Sequence, residues 1–129
     1  MKNKILFLLA VSLMFSCSNK TEGLKTELVG KWKLIEVLAD PGDGSGTFEP
    51  VRSNKTIEFK SNGILTTNNS LCDPYSDEMI SSGTYENNTI TTGCQDSNIA
   101  TIFFELNNES LILNFISNEG YSQKFEKIN

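Results

Sequence analysis

Leu28-Val29-Gly30-Lys31-Trp32-Lys33-Leu34-Ile35-Glu36-Val37-Leu38 is the stretch whose reading decides the fold. It holds the chain's one tryptophan, two positions after a glycine, and opens a series of strand-like segments that runs to the C-terminus. Apolar residues recur there at alternate positions, the period of a strand with one buried face. We read it as the first strand of a small antiparallel barrel. Trp32 plugs the closed end, with Gly30 beside it as the other half of a barrel-base motif.

Further along, strands are predicted over 55–60, 63–68, 83–86, 89–92, 100–106, 110–116 and 121–127, each bounded by Asn, Gly, Ser or Asp. Ser61-Asn62-Gly63, Asn87-Asn88 and Asn107-Asn108-Glu109 separate neighbouring strands as tight hairpins, because Asn and Gly accept the positive φ angles such turns require. Asp40-Pro41-Gly42-Asp43-Gly44-Ser45-Gly46 is a run of helix and strand breakers and is read as a loop. The result is eight strands with no internal helix; a short helical turn at 23–27 is weakly signalled. Eight short consecutive strands favour an up-and-down sheet closed on itself, since closure removes exposed edges. Alternating strand directions then collect the three tight turns and both termini at a base. The longer connections collect at a mouth.

The N-terminus reads as an export signal. Lys2 and Lys4 precede an uncharged apolar run, Ile5 to Phe15, and then Ser16-Cys17. Eleven apolar residues are too few to span a bilayer, which takes roughly 20. Leu13-Met14-Phe15-Ser16-Cys17 resembles a bacterial lipoprotein box, with Met14 in the usual leucine position and a bulky Phe15. The resemblance implies that Cys17 is lipidated and becomes the first residue of the mature chain; an ordinary secretory signal is the alternative. The domain plan is thus a signal over 1–16, a lipidated cysteine and tether over 17–27, and a barrel over 28–129. Removing 1–16 leaves nine basic against sixteen acidic side chains, a net charge of −7. That balance disfavours nucleic acid and anionic lipid surfaces. With Cys17 acylated, Cys72 and Cys94 remain as a pair in an oxidising compartment and are read as a disulfide at the mouth.

Gly30-Lys31-Trp32 in a first strand, the Asp-Pro-Gly-Asp-Gly-Ser-Gly loop and an eight-strand meander resemble the lipocalin superfamily. They are most similar to the lipocalin-like domains of lipoproteins from Bacteroidetes-type bacteria, and Gly83-Thr84-Tyr85 resembles that group's fourth strand. The resemblance implies a cell-envelope protein, anchored through its lipid to the outer membrane, that binds a small apolar molecule. Familiar lipocalins add a C-terminal helix, and none is visible here.

Catalysis finds little support. The chain has no histidine, and neither Cys72 nor Cys94 has an activating neighbour in sequence. We expect no enzyme activity, no cofactor and no metal. Asp40 and Asp43 offer oxygen ligands for a weak calcium site, but Asp-Pro-Gly and Asp-Gly are also ordinary turn chemistry. Binding is expected from side chains that share the inward alternation: Glu36, Leu38, Phe59, Tyr85, Phe104, Phe115, Tyr121 and Gln123. The same alternation places Ile64 inside. An eight-stranded barrel either is filled by such residues or holds one small ligand. A carboxylate at Glu36 would need an interior partner, unless the strand bulges there or the residue lies at a wet mouth. The mouth is acidic, with Asp40, Asp43, Glu49, Asp73, Asp77, Glu78, Asp96 and Glu119 against Arg52. Phe48 and Tyr75 supply aromatic anchors there, so a basic protein partner is the rival to a small ligand.

Overall fold

The computed structural model describes residues 23, 26–72, 76–95, 101–116 and 119–129. Cys17, Asp73, Tyr75 and Asp96, with the signal and most of the tether, lie outside the described residues. Among the described residues nine strands follow in order: β1 Gly30–Ala39, β2 Phe48–Pro50, β3 Thr56–Phe59, β4 Ile64–Thr67, β5 Ser82–Glu86, β6 Thr89–Thr92, β7 Thr101–Asn107, β8 Ser110–Phe115 and β9 Tyr121–Lys127. Every pairing is antiparallel, and β1 pairs with β9, so eight strands close an up-and-down barrel. The ninth is the short β2. It lies against the upper half of β1, from Glu36↔Pro50 to Leu38↔Phe48, beyond the stretch where β3 pairs with the lower half. Together β2 and β3 act as one barrel strand interrupted by residues 51–55.

Local chemistry explains the turns. Asn87 and Asn88 both take positive φ, as does Asn108, and these are the residues that tolerate it best after glycine. At the β3–β4 hairpin only Gly63 does so, at φ 83°, while Asn62 instead accepts a hydrogen bond from the Ile64 N–H. The extra turn residue sets Phe59 opposite Leu65. Leu65 is therefore buried and Ile64 exposed, which reverses the expected assignment of Ile64. Near the start, Thr26 to Leu28 are helical, so Leu28 belongs to a turn beneath the barrel and not to the first strand.

Leu28 is buried under Trp32 and its carbonyl accepts the indole Nε1–H at 2.9 Å. The side chain is 1% exposed, and Lys127 Nζ lies over the ring, 5.4 Å from its centroid. Trp32 thus closes the base as expected. Gly30 serves the same closure. The Lys31 N–H donates to the Asn129 carbonyl, and a Cβ at Gly30 would sit 2.3 Å from that same oxygen, at a φ of 134°. Gly30→Ala is expected to cost about 2 kcal/mol, read as a lower midpoint in urea unfolding with an unchanged slope.

Above Trp32 the barrel is packed. Ile57, Phe59, Leu65, Ile90, Ile102, Phe104, Leu111, Leu113 and Phe125 are buried. Phe59 meets Tyr85 edge-on at 5.0 Å and Phe104 at 5.8 Å, filling the lower half with aromatic rings.

Candidate functional site

The expected binding residues divide into three groups. Phe59, Tyr85 and Phe104 form the lower aromatic cluster, where the Tyr85 hydroxyl donates to the Lys60 carbonyl. They are core. Glu36 and Leu38 do not point inward, because β1 bulges: Leu34 pairs with Phe125, Glu36 with Lys124, and Ile35 is left between them. One extra residue flips the alternation beyond it. Val37, opposite Gln123, takes the inward place. Glu36 turns outward to an ion pair with Lys124 at 2.9 Å, and Lys124 lies 5.8 Å from the Phe48 ring. The carboxylate thus has its partner outside the barrel.

Phe115, Tyr121 and Gln123 remain, all near the mouth. Phe115 and Tyr121 meet edge-on at 5.4 Å. Gln123 is 4% exposed; its Nε2 donates to the Tyr121 hydroxyl at 3.0 Å, while its Oε1 is buried with no hydrogen-bond partner among the described residues. An unsatisfied buried carbonyl oxygen costs about 1–3 kcal/mol, so its retention calls for a reason.

Lys55 was not anticipated. It is 8% exposed and continues the inward row of Phe59 and Ile57, a period-two signal legible in the sequence but overridden by the residue's charge. Its Nζ donates to the Ser70 carbonyl at 2.9 Å, and no carboxylate among the described residues pairs with it. Burial lowers its pKa from the ordinary 10.5 to about 8. The folded value lies below the unfolded one, so the penalty is fully present below pH 8 and fades as pH rises to 10.5. At pH 7, Lys55→Met is expected to be about 1–2 kcal/mol more stable than the parent chain, the hydrogen bond to Ser70 offsetting part of the gain. Chemical denaturation across pH 7 to 10.5 should show the gap closing.

The loop between β4 and β5 covers part of the mouth. Leu71 is buried beneath it, the Leu71 N–H donates to the Ile80 carbonyl, and the Ser70 hydroxyl donates to the Glu78 carbonyl. Cys72 and Cys94 form the expected disulfide, with Cα atoms 5.8 Å apart, tying this loop to the one after β6 across the top of β5. Glu78 accepts from the Gln95 N–H at 2.9 Å and reinforces the same tie. On the opposite side, around β8, β9 and β1, Tyr121 and Val37 are only partly buried.

The acidic rim is committed to its own loops. Asp40 Oδ1 accepts from the N–H groups of Gly42 at 2.7 Å and Gly44 at 3.0 Å, and Oδ2 from Gly46 at 2.6 Å. These bonds hold its carboxyl below the usual range, and Ser45 does the same for Asp43. Both aspartates organise a turn, with backbone donors where a cation would have to sit. None of the protein-family models, curated proteins or solved structures compared with this chain matches it.

Proposed function

We propose that this chain is a lipocalin-like, lipid-anchored protein of the bacterial cell envelope whose barrel binds a small, largely apolar molecule under its mouth without catalysing a reaction. The observation that carries the reading is the buried Gln123 Oε1, an acceptor left open among the described residues inside the barrel. The bound molecule would lie above the packed aromatic cluster, against Val37, Phe115 and Tyr121, on the side away from the disulfide-tied loop. A basic protein docking on the acidic rim is the weaker reading, because Asp40, Asp43 and Glu78 are already engaged. Native mass spectrometry of the protein purified from its host tests the proposal. A retained small molecule supports it, and uniformly empty protein argues against it.

The anchor is tested separately. Cys17→Ala is expected to move the protein from the membrane fraction to the soluble or unprocessed pool, and the parent protein should carry the mass of acyl chains on its N-terminal cysteine. Two acyl chains give stable attachment where one gives only marginal binding.

A further inference from the structure

Among the described residues, one set of metal-ligating side chains converges. The sulfurs of Cys72 and Cys94 and the carboxylate of Glu78 all lie within 4.8 Å of one another. Both cysteines are buried, while Glu78 is half-buried between exposed Asp77 and Met79, so solvent reaches the group from the Glu78 side. Bridged, the pair has neither a thiol proton nor a thiolate to offer. Glu78 Oε2 nonetheless stands 3.7 Å from Cys72 Sγ. A carboxylate gains nothing from a disulfide sulfur, but it accepts from a thiol and shares a cation with a thiolate. One backbone donor, the Gln95 N–H, holds Glu78, where three hold Asp40, so lone pairs remain for a further partner. Hydrogen bonds of this kind are what orient ligating carboxylates. At the other cysteine, the Thr92 hydroxyl donates to Cys94 Sγ at 3.0 Å, which favours the ionised sulfur once it is released.

We propose that Cys72, Cys94 and Glu78 form a redox-gated zinc site, closed as a disulfide and opened by reduction. An external dithiol delivers two electrons and two protons to the bridge, and its own sulfurs end as a disulfide. Each cysteine then yields its proton to solvent as Zn²⁺ binds, so two thiolates and a carboxylate meet the ion and a fourth position is left to water. A tetrahedral ion with Zn–S bonds of about 2.3 Å holds its sulfurs about 3.8 Å apart. With the Cα atoms 5.8 Å apart, rotation about the side-chain bonds supplies that spacing. The donors stay together without the bridge. The Leu71 N–H to Ile80 carbonyl and Ser70 hydroxyl to Glu78 carbonyl bonds tie Cys72 and Glu78 into one loop, and the Gln95 N–H ties Glu78 to the residue after Cys94. Thiolates select Cu(I) and Zn²⁺, and the carboxylate turns the choice to Zn²⁺.

The test uses the full chain in detergent, bridged or reduced with a phosphine that is then removed under nitrogen. Zn²⁺ affinity is measured by competition with a chromophoric chelator, and Co²⁺ serves as the spectroscopic probe. Reduced parent protein should bind Zn²⁺ about a hundredfold more tightly than bridged protein, and with Co²⁺ it should show the thiolate-to-metal charge-transfer band of a tetrahedral site. Zn²⁺ should also restore most of the melting temperature lost on reduction and leave the bridged protein unchanged. Glu78→Gln keeps an acceptor for the Gln95 N–H, so its bridged form should melt as the parent does, while its reduced form should bind Zn²⁺ about tenfold more weakly. Cys72→Ser/Cys94→Ser retains Cys17 and sets the background, which should lack the band. Reduced protein that binds no better than bridged protein overturns the site. So does Glu78→Gln binding as tightly as the parent, or Cu(I) binding where Zn²⁺ fails, since either leaves a pair of thiolates without the carboxylate.

Discussion

Trp32→Ala is expected to destabilise the barrel by about 4 kcal/mol, the largest effect of any single side chain in the molecule. The indole is 1% exposed, bonded to the Leu28 carbonyl and covered by Lys127, so truncation opens a cavity that backbone on every side resists closing. It also leaves the Leu28 carbonyl without its donor and releases the turn at 26–28 from beneath the barrel. Trp32→Phe separates these contributions. The ring volume is mostly kept, and the loss should fall to about 1–2 kcal/mol, chiefly the missing hydrogen bond and a smaller void. Urea unfolding of both variants gives the comparison. Equal losses would show that the hydrogen bond to Leu28, and not packing, holds the base.

Removing the disulfide is the second large effect. The Cys72–Cys94 bridge closes a loop of 22 residues' separation, worth about 3 kcal/mol in the chain-entropy model. A Cys72→Ala/Cys94→Ala double variant, or the parent chain under reducing conditions, should lose that much. For a barrel of this size the melting temperature would fall by roughly 15 °C. The bridge acts on the unfolded chain and on the mouth together, because it holds down the loop that carries buried Leu71 and the Ser70 carbonyl that receives Lys55. Hydrogen exchange should therefore quicken first at the Leu71 and Thr67 amides, which bond to Ile80 and Ser81, and leave β7 to β9 protected. Uniform acceleration over the whole barrel would mean that the bridge stabilises globally with no local role at the mouth.

Much of the architecture was legible because it is encoded locally. Asn87-Asn88 announces a tight turn through the one property that matters there, tolerance of positive φ. The alternation in 110–116 and 121–127 marks the buried faces of β8 and β9 correctly, including Gln123. Phe115, Tyr121 and Gln123, proposed as ligand contacts, were placed on the inward face by that alternation. Glu36 and Leu38 were misplaced by the same rule, since a bulge at Ile35 inverts every position beyond it and depends on how β1 meets β9, some 90 residues away in sequence. Lys55 went unnoticed for a different reason. A lysine at an inward position is ordinarily discounted, and only the Ser70 carbonyl descending from another loop lets its ammonium stay inside.

By itself the amino-acid order specified the eight barrel strands, the hairpins, the separation of base from mouth and the tryptophan stopper, which follow from neighbours a few positions apart, and the cysteine pair, which follows from the count of cysteines left after the N-terminal one. Only the tertiary structure decided which side of β1 faces inward above Leu34, that β2 extends the ladder of β3, and that Lys55 is buried. Those depend on register between distant strands, and a one-residue offset is invisible to periodicity until the partner strand is in place.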